Sequence, residues 1–204
     1  MDQYLETRIN NHNKAVYGAC AMFIAYSSEE LELLSDIEHL NRAEYDRHCD
    51  AIRQALSMDH FADSYDFLYV SNWVFNQDLR SIPVGHYNDN GEYQLYADPN
   101  TLEDRLNAFD RMCAILENNS SIDPFKKLAI LHHEITSIHP LKDGNGRTSR
   151  ILLQYHAAYL GLGFILITDR DQYLNTLETD DIDSLATLFE ESEFNPTYLP
   201  DYSD

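Results

Sequence analysis

The chain is short of glycine, proline, cysteine and positive charge. Seven Gly, six Pro and three Cys stand among 204 residues, and 14 Lys plus Arg face 35 Asp plus Glu. Each shortage excludes something. Cys20, Cys49 and Cys113 lie far apart, form no CxxC pair and are odd in number. A disulfide framework and a cysteine metal site are therefore excluded, and free thiols in a reducing compartment are expected. A formal net charge of -21 repels nucleic-acid phosphate and anionic lipid. No apolar run approaches the ~20 residues that cross a bilayer. The opening residues, MDQYLETRINNHNK, show no basic start followed by an apolar stretch. The expectation is a cytoplasmic chain with no nucleic-acid and no membrane partner. A secretion signal of the kind carried by injected bacterial effectors would leave no such mark, so delivery as an effector stays open. No Lys or Arg follows Arg170, and that acidic end reads as a solubilising face.

What is present is apolar, aromatic and mostly helical in pattern. Hydrophobic residues make up 44% and aromatics 12%, enough to pack a core in one domain. AVYGACAMFIAY (Ala15 to Tyr26) suits a buried helix, SSEELELLSDIEHL opens with Ser caps, and Ala43 to Leu56 has helical spacing. Asp63 to Leu79 is apolar enough for another helix. Pro83 to Pro99 changes character: Asn90-Gly91 sits between polar-aromatic runs and predicts a two-stranded hairpin with a tight turn. Helix signals resume after Thr101, a candidate cap, and again at Asp123-Pro124, cap and first helical residue. A helix continues through RILLQYHAAYLG and ends near Gly161 or Gly163, and DQYLNTL and DIDSLATLFEESEF read as later helices. The division expected is an N-terminal helical extension over 1–56, a main domain over 57–195 and a tail over 196–204.

Two of the seven glycines and two arginines concentrate in HPLKDGNGRTSR, His139 to Arg150. The segment runs helix, Gly-containing turn, helix. A Gly-rich turn entering a helix offers backbone N–H groups at the positive end of the helix dipole, a site for phosphate. Arg147 lies near that end, and Arg150 falls on about the same face. Asp143 at the mouth is a hard oxygen ligand suited to Mg²⁺ bridging phosphates. His139 can act as a base near neutral pH. The joint chemistry is phosphoryl or nucleotidyl transfer. It is neither GxxxxGK[ST] nor GxGxxG after a strand. Each residue alone has an ordinary explanation: a cap histidine, surface arginines, a common turn. Their joint pattern is what changes the odds.

Eight positions, His139, Pro140, Asp143, Gly144, Asn145, Gly146, Arg147 and Arg150, resemble the Fic family motif HPFx[DE]GNGRxxR, an agreement met by chance on the order of once in a hundred million chains of this length. Leu141 stands where Phe is usual, an apolar anchor under the loop. The likeness runs from about Ile82 to Gly163. It implies an all-α Fic-type helical bundle with a β-hairpin flap before the helix–loop–helix. It further implies transfer of AMP from ATP to a Ser, Thr or Tyr hydroxyl of a target protein, releasing pyrophosphate. By position, His139 would be the base, Asp143 would hold Mg²⁺, and Gly144, Asn145 and Gly146 would form the anion hole. Arg147 would bind the phosphates and Arg150 the terminal phosphate. The flap, with Val84, Gly85, His86 and Tyr87, would hold the target by strand addition. The intact GNGR favours nucleotidyl transfer over relatives that phosphorylate or move phosphocholine. Other nucleotides, removal of AMP, and a non-catalytic flap that only binds peptide stay as alternatives.

Many Fic proteins are restrained by a helix with [ST]xxxE[GN]. Ser28 to Glu32 and Thr187 to Glu191 have the spacing but are followed by Leu33 and Ser192. Glu191 is thus a candidate inhibitory residue without the full pattern. A separate antitoxin, a homo-oligomer or no restraint at all are the other readings. His132 and His133 are neighbours and do not share a helix face, so they read as structural rather than metal-binding.

Overall fold

Acidic caps decide where most of the helices begin. The computed structural model describes residues 60–87, 91–165, 167 and 169–194. In it, α1 (Ser64–Phe75) starts at Asp63, whose carboxylate accepts from the Tyr65 and Asp66 N–H groups while Asp66 accepts from the Asp63 N–H. It ends at Asn76, in left-handed conformation with φ 52, short of the Leu79 that the apolar content suggested. The helices read over 15–26, 27–40 and 43–56, the Ser28 to Glu32 pattern, Asn90 and the tail over 196–204 lie outside the described residues.

The hairpin is present, and residues 88–90 of its turn lie outside the described residues. β1 (Gly85–Tyr87) pairs antiparallel with β2 (Tyr93–Leu95), Gly85 opposite Leu95 and Tyr87 opposite Tyr93. The two tyrosine rings meet at 5.1 Å and set the register, which leaves residues 88–92 as the connection. Gly91 takes the positive φ of 76 inside it.

A 3-10 turn (Pro99–Thr101) leads into α2 (Leu102–Asn118). Thr101 makes no side-chain capping bond, and the cap lies three residues earlier, where Asp98 accepts from the Asn100 N–H at 2.8 Å. α3 (Pro124–Ile138) begins as read, with Asp123 as cap and Pro124 at the first position. α4 (Asn145–Tyr159) stops just before Gly161, whose φ is 76. α5 (Arg170–Glu178) and α6 (Ile182–Glu191) are capped by Asp169 and Asp181. β3 (Phe164–Ile165) and β4 (Glu193–Phe194) pair antiparallel, two residues each and too short to leave an alternating pattern in the sequence. Among the described residues, no helix is long and apolar enough to cross a membrane.

Two apolar clusters flank the α3–α4 pair. Phe67, Phe109, Leu131, Ile135, Ile138, Leu141 and Leu152 fill one, and Leu128, Leu153, Ile165, Leu185 and Phe189 fill the other. Each such side chain stabilises by about 1.5–3 kcal/mol when fully buried. α3 and α4 contribute to both clusters, so the loop between them hangs from the best-anchored part of this mostly helical fold.

Candidate active site

The loop is built around one amide. The Asn145 side chain is 3% exposed and bonds both polar groups of Leu141: its Oδ1 accepts from the Leu141 N–H and its Nδ2 donates to the Leu141 carbonyl, each at 2.8 Å. Leu141 itself is fully buried and bridges to Leu79. It is the apolar anchor that the sequence placed under the loop. The Asn145 side chain is therefore committed inward, and its contribution toward the pocket is the backbone N–H.

α4 opens at Gly144, which holds the left-handed conformation with φ 80 and, lacking a side chain, provides no cap. The Gly144 N–H donates to Asp143 Oδ1 at 2.6 Å. The next turn, Asn145 to Arg147, presents N–H groups that have no intrahelical acceptor. Gly146 has a separate reason to be glycine. A Cβ there would lie 3.3 Å from Arg150 Nη1, so the bare backbone lets that guanidinium fold back toward the helix start. Arg147 Nη2 lies 3.5 Å from Asp143 Oδ2.

A pocket of about 300 Å³ opens on these groups. It is lined by His139, Lys142, Asp143, Gly144, Asn145, Gly146, Arg147 and Arg150 from the motif, and by Tyr173 and Leu174 of α5. Three of the chain's 14 cationic side chains face this one cavity, in a protein of net charge -21. Such concentration favours a polyanion locally while the remaining surface repels it.

His139 terminates α3 in left-handed conformation, φ 49, with its N–H donating to the Ile135 carbonyl at 3.2 Å. Its ring stacks on Tyr96 at a centroid distance of 3.7 Å and an interplanar angle of 5°. Burial holds the imidazole down to a pKa of about 4; the Thr136 backbone hydrogen bond and Asp143 oppose this, and Arg80 and His86 add to it. The ring is neutral at physiological pH. A neutral imidazole keeps one basic nitrogen, and the stack on Tyr96 fixes the plane of the ring.

Several neighbours escaped the sequence reading. Lys142 occupies the motif's variable position, and Tyr173 comes from a helix more than thirty residues on from His139. Tyr96 sits at the end of β2 on the same face as His86, whose ring it also meets at 5.1 Å. Arg80 is 4% exposed and donates from Nε to the His139 carbonyl at 2.7 Å. Its one visible signal is isolation: no other Lys or Arg occurs between Arg53 and Arg105. The flap residues Val84, Gly85 and His86 are half-buried and Tyr87 is exposed. Glu191 ends α6, is exposed, and is not among the residues lining the pocket. His132 and His133 point apart, to Tyr173 Oη and Asp180 Oδ1, each at 2.8 Å.

Comparison with known proteins agrees with this geometry. The Fic/DOC family model matches residues 50–157, just over half of the 204-residue chain. Over 62 residues the chain is 40% identical to a probable protein adenylyltransferase of Aquifex aeolicus, covering 30% of this chain and 19% of that protein. Over 89 residues it is 32% identical to the protein adenylyltransferase Fic of Nematostella vectensis, covering 41% of this chain and 21% of that one. The match thus spans about a fifth of the length of these curated relatives. The crystal structure of a Fic domain-containing signalling protein from Bacteroides thetaiotaomicron shares the fold, with a TM-score of 0.64 at 20% identity, covering 73% of this chain and 66% of that one. The chain belongs to the Fic/DOC family.

Proposed function

We propose that the chain is a protein adenylyltransferase that moves AMP from ATP to a Ser, Thr or Tyr hydroxyl of a target protein. One observation carries the reading: a neutral, oriented imidazole stands at the rim of a cationic pocket whose floor is an uncapped helix N-terminus. The backbone N–H groups of Asn145 to Arg147 would receive the phosphates, with Arg147 and Arg150 holding their outer oxygens. His139 would take the proton of the target hydroxyl as its oxygen attacks the α-phosphorus. The bond from that phosphorus to the bridging oxygen breaks, pyrophosphate leaves, and the proton passes from His139 to solvent.

The residues present suit a cation that arrives with the nucleotide. Asp143 has a side chain 77% exposed and offers one carboxylate at the pocket mouth. Among the described residues, no group of three or more His, Cys, Asp or Glu could cage a metal alone. Asp143 and phosphate oxygens would hold Mg²⁺, which would offset charge on the departing pyrophosphate. The flap, from Val84 to Tyr87, would align an extended target segment by main-chain pairing. Two curated relatives named as adenylyltransferases support the assignment at family level.

The test is ATP labelled at the α- or the γ-phosphorus, incubated with the chain and candidate targets. Label on protein is expected from the α position only, and His139→Asn should lower it by about 10²–10⁴-fold. Label from the γ position would make the chain a kinase. No label from either, with self-labelling also absent, would favour a module that binds peptide without chemistry.

A further inference from the structure

Arg80 is buried, and among the described residues no carboxylate is hydrogen-bonded to its guanidinium, although the charge of Asp98 favours its protonated form. Its acceptors are backbone carbonyls from three separate segments. Nε donates to His139 at 2.7 Å, Nη1 to Ile82 at 3.1 Å, and Nη2 to Ala97 and, at 3.4 Å, to Ile138. Ile138 and His139 end α3, where unpaired carbonyls concentrate negative partial charge and favour a cation. Ile82 and Ala97 lie just outside the two strands of the flap, one before β1 and one after β2. The Arg80 N–H also donates to the Pro140 carbonyl at 3.0 Å. A single planar group therefore joins both feet of the flap to the residue bearing the imidazole. Tyr96, beside Ala97, completes the link by lying flat on the His139 ring.

We propose that Arg80 is a positioning residue that sets the distance and orientation between the flap and the His139 imidazole. The proposal rests on the transfer reading above, in which the flap holds the target segment and His139 receives the proton from its hydroxyl. Those two parts come from different regions of the chain, and the reaction needs them in register to within a fraction of an ångström. Lysine cannot replace the fork. It carries one nitrogen on a flexible stem and cannot reach carbonyls lying on three sides. Two or three of those carbonyls would lose their donor in Arg80→Lys.

Amide hydrogen exchange read residue by residue, on the wild-type chain and on Arg80→Lys, tests this. The Tyr96 N–H, which donates to the Val84 carbonyl, reports on the flap; the Leu141 N–H, held by Asn145, reports on the loop. Both should lose protection by tenfold or more in the variant, while amides in α2 and α6 keep theirs. Unchanged protection at either reporter, or an equal loss throughout the molecule, overturns the proposal; the second result would mean support of the fold alone. Should Arg80→Lys not fold, the wild type decides. Its Arg80 Nη protons should give separate, slowly exchanging NMR signals, and averaged signals like those of a surface arginine would overturn the proposal. Kinetically, Mg-ATP affinity should stay within about twofold in the variant while AMP transfer falls tenfold or more; transfer at the wild-type rate overturns the proposal. Exchange and NMR do not depend on AMP transfer, so a wild-type chain inactive in labelling would defeat the functional reading and still leave the clamp to be judged.

Discussion

The flap and the motif loop are both short excursions from a helical body, and they are held in opposite ways. The loop is built inward. Leu141 is fully buried, Asn145 bonds both of its backbone groups, and α3 and α4 on either side reach into both apolar clusters. The flap is built outward. Its strands are three residues each, Tyr87, Tyr93 and Leu95 are exposed, and its strongest attachments are at its feet through Arg80 and Tyr96. An isolated two-stranded hairpin is marginal on its own. The contrast would suit the two tasks proposed above: a phosphate chain of constant composition would reward a rigid cup, and varied target segments a backbone edge that can adjust.

Substitutions in the two regions should therefore fail differently. Asn145→Ala strands two buried backbone groups, at about 1–3 kcal/mol each, and should lower Tm by roughly 5–20 °C with loss of nucleotide binding. Thermal melting and calorimetry check it; an unchanged Tm would mean that the loop is not built on this amide. Gly85→Ala is the matching break in the flap. Its Cβ would fall 2.1 Å from the Gln94 carbonyl oxygen and 3.0 Å from the Tyr93 ring, so the hairpin must distort. Tm should move by less than about 2 °C and Mg-ATP affinity should hold, because the change stays within one weakly anchored unit. The KM for a protein target should rise by tenfold or more. Equal losses in nucleotide and target binding would erase the distinction between the regions.

The sequence carried the loop well because its logic is local. Positive φ at Gly144, the approach of Arg150 to Gly146 and the start of a helix at Asn145 are all consequences of neighbouring residues. The cap pair Asp123-Pro124 was legible for the same reason. What stayed hidden depends on distant partners. Arg80 looks like any lone surface arginine until its four carbonyls are in place. Tyr96 and Tyr173 look like ordinary aromatics, and the inward turn of Asn145 can be seen only once Leu141 is buried. The register of the hairpin could not be read from Asn90-Gly91, because the meeting of the Tyr87 and Tyr93 rings lies outside that turn.

Acid should act on the buried part and spare the flap. His139 is held down to about 4, so the neutral base is present above that value and kcat/KM should stay flat through pH 6 and fall only toward pH 4. A limb near the ordinary 6.5 would show an exposed imidazole. Bound phosphate, being anionic, should raise the limb seen in kcat. His132 and His156, pushed down to about 3 and about 4 by burial, give the stability counterpart. The unfolded chain binds these protons near pH 6.5 and the folded chain does not until about pH 4. Their contribution to stability is thus complete above 6.5 and declines as pH falls through that window, which melting curves against pH would follow.

The smallest effect is expected at Glu191. It is exposed at the end of α6 and does not line the pocket, so Glu191→Gly should change self-labelling by no more than about twofold. A rise of tenfold or more would instead give it an inhibitory role.

A crystal structure with Mg²⁺ and a non-hydrolysable ATP analogue would decide whether the start of α4 seats a triphosphate beside His139. The arrangement expected has phosphate oxygens on the N–H groups of Asn145 to Arg147, the metal on Asp143, Arg150 on the outer phosphates, and the His139 ring still flat against Tyr96 and facing the α-phosphorus. Nucleotide bound elsewhere, or a triphosphate that leaves the start of α4 untouched, would contradict it.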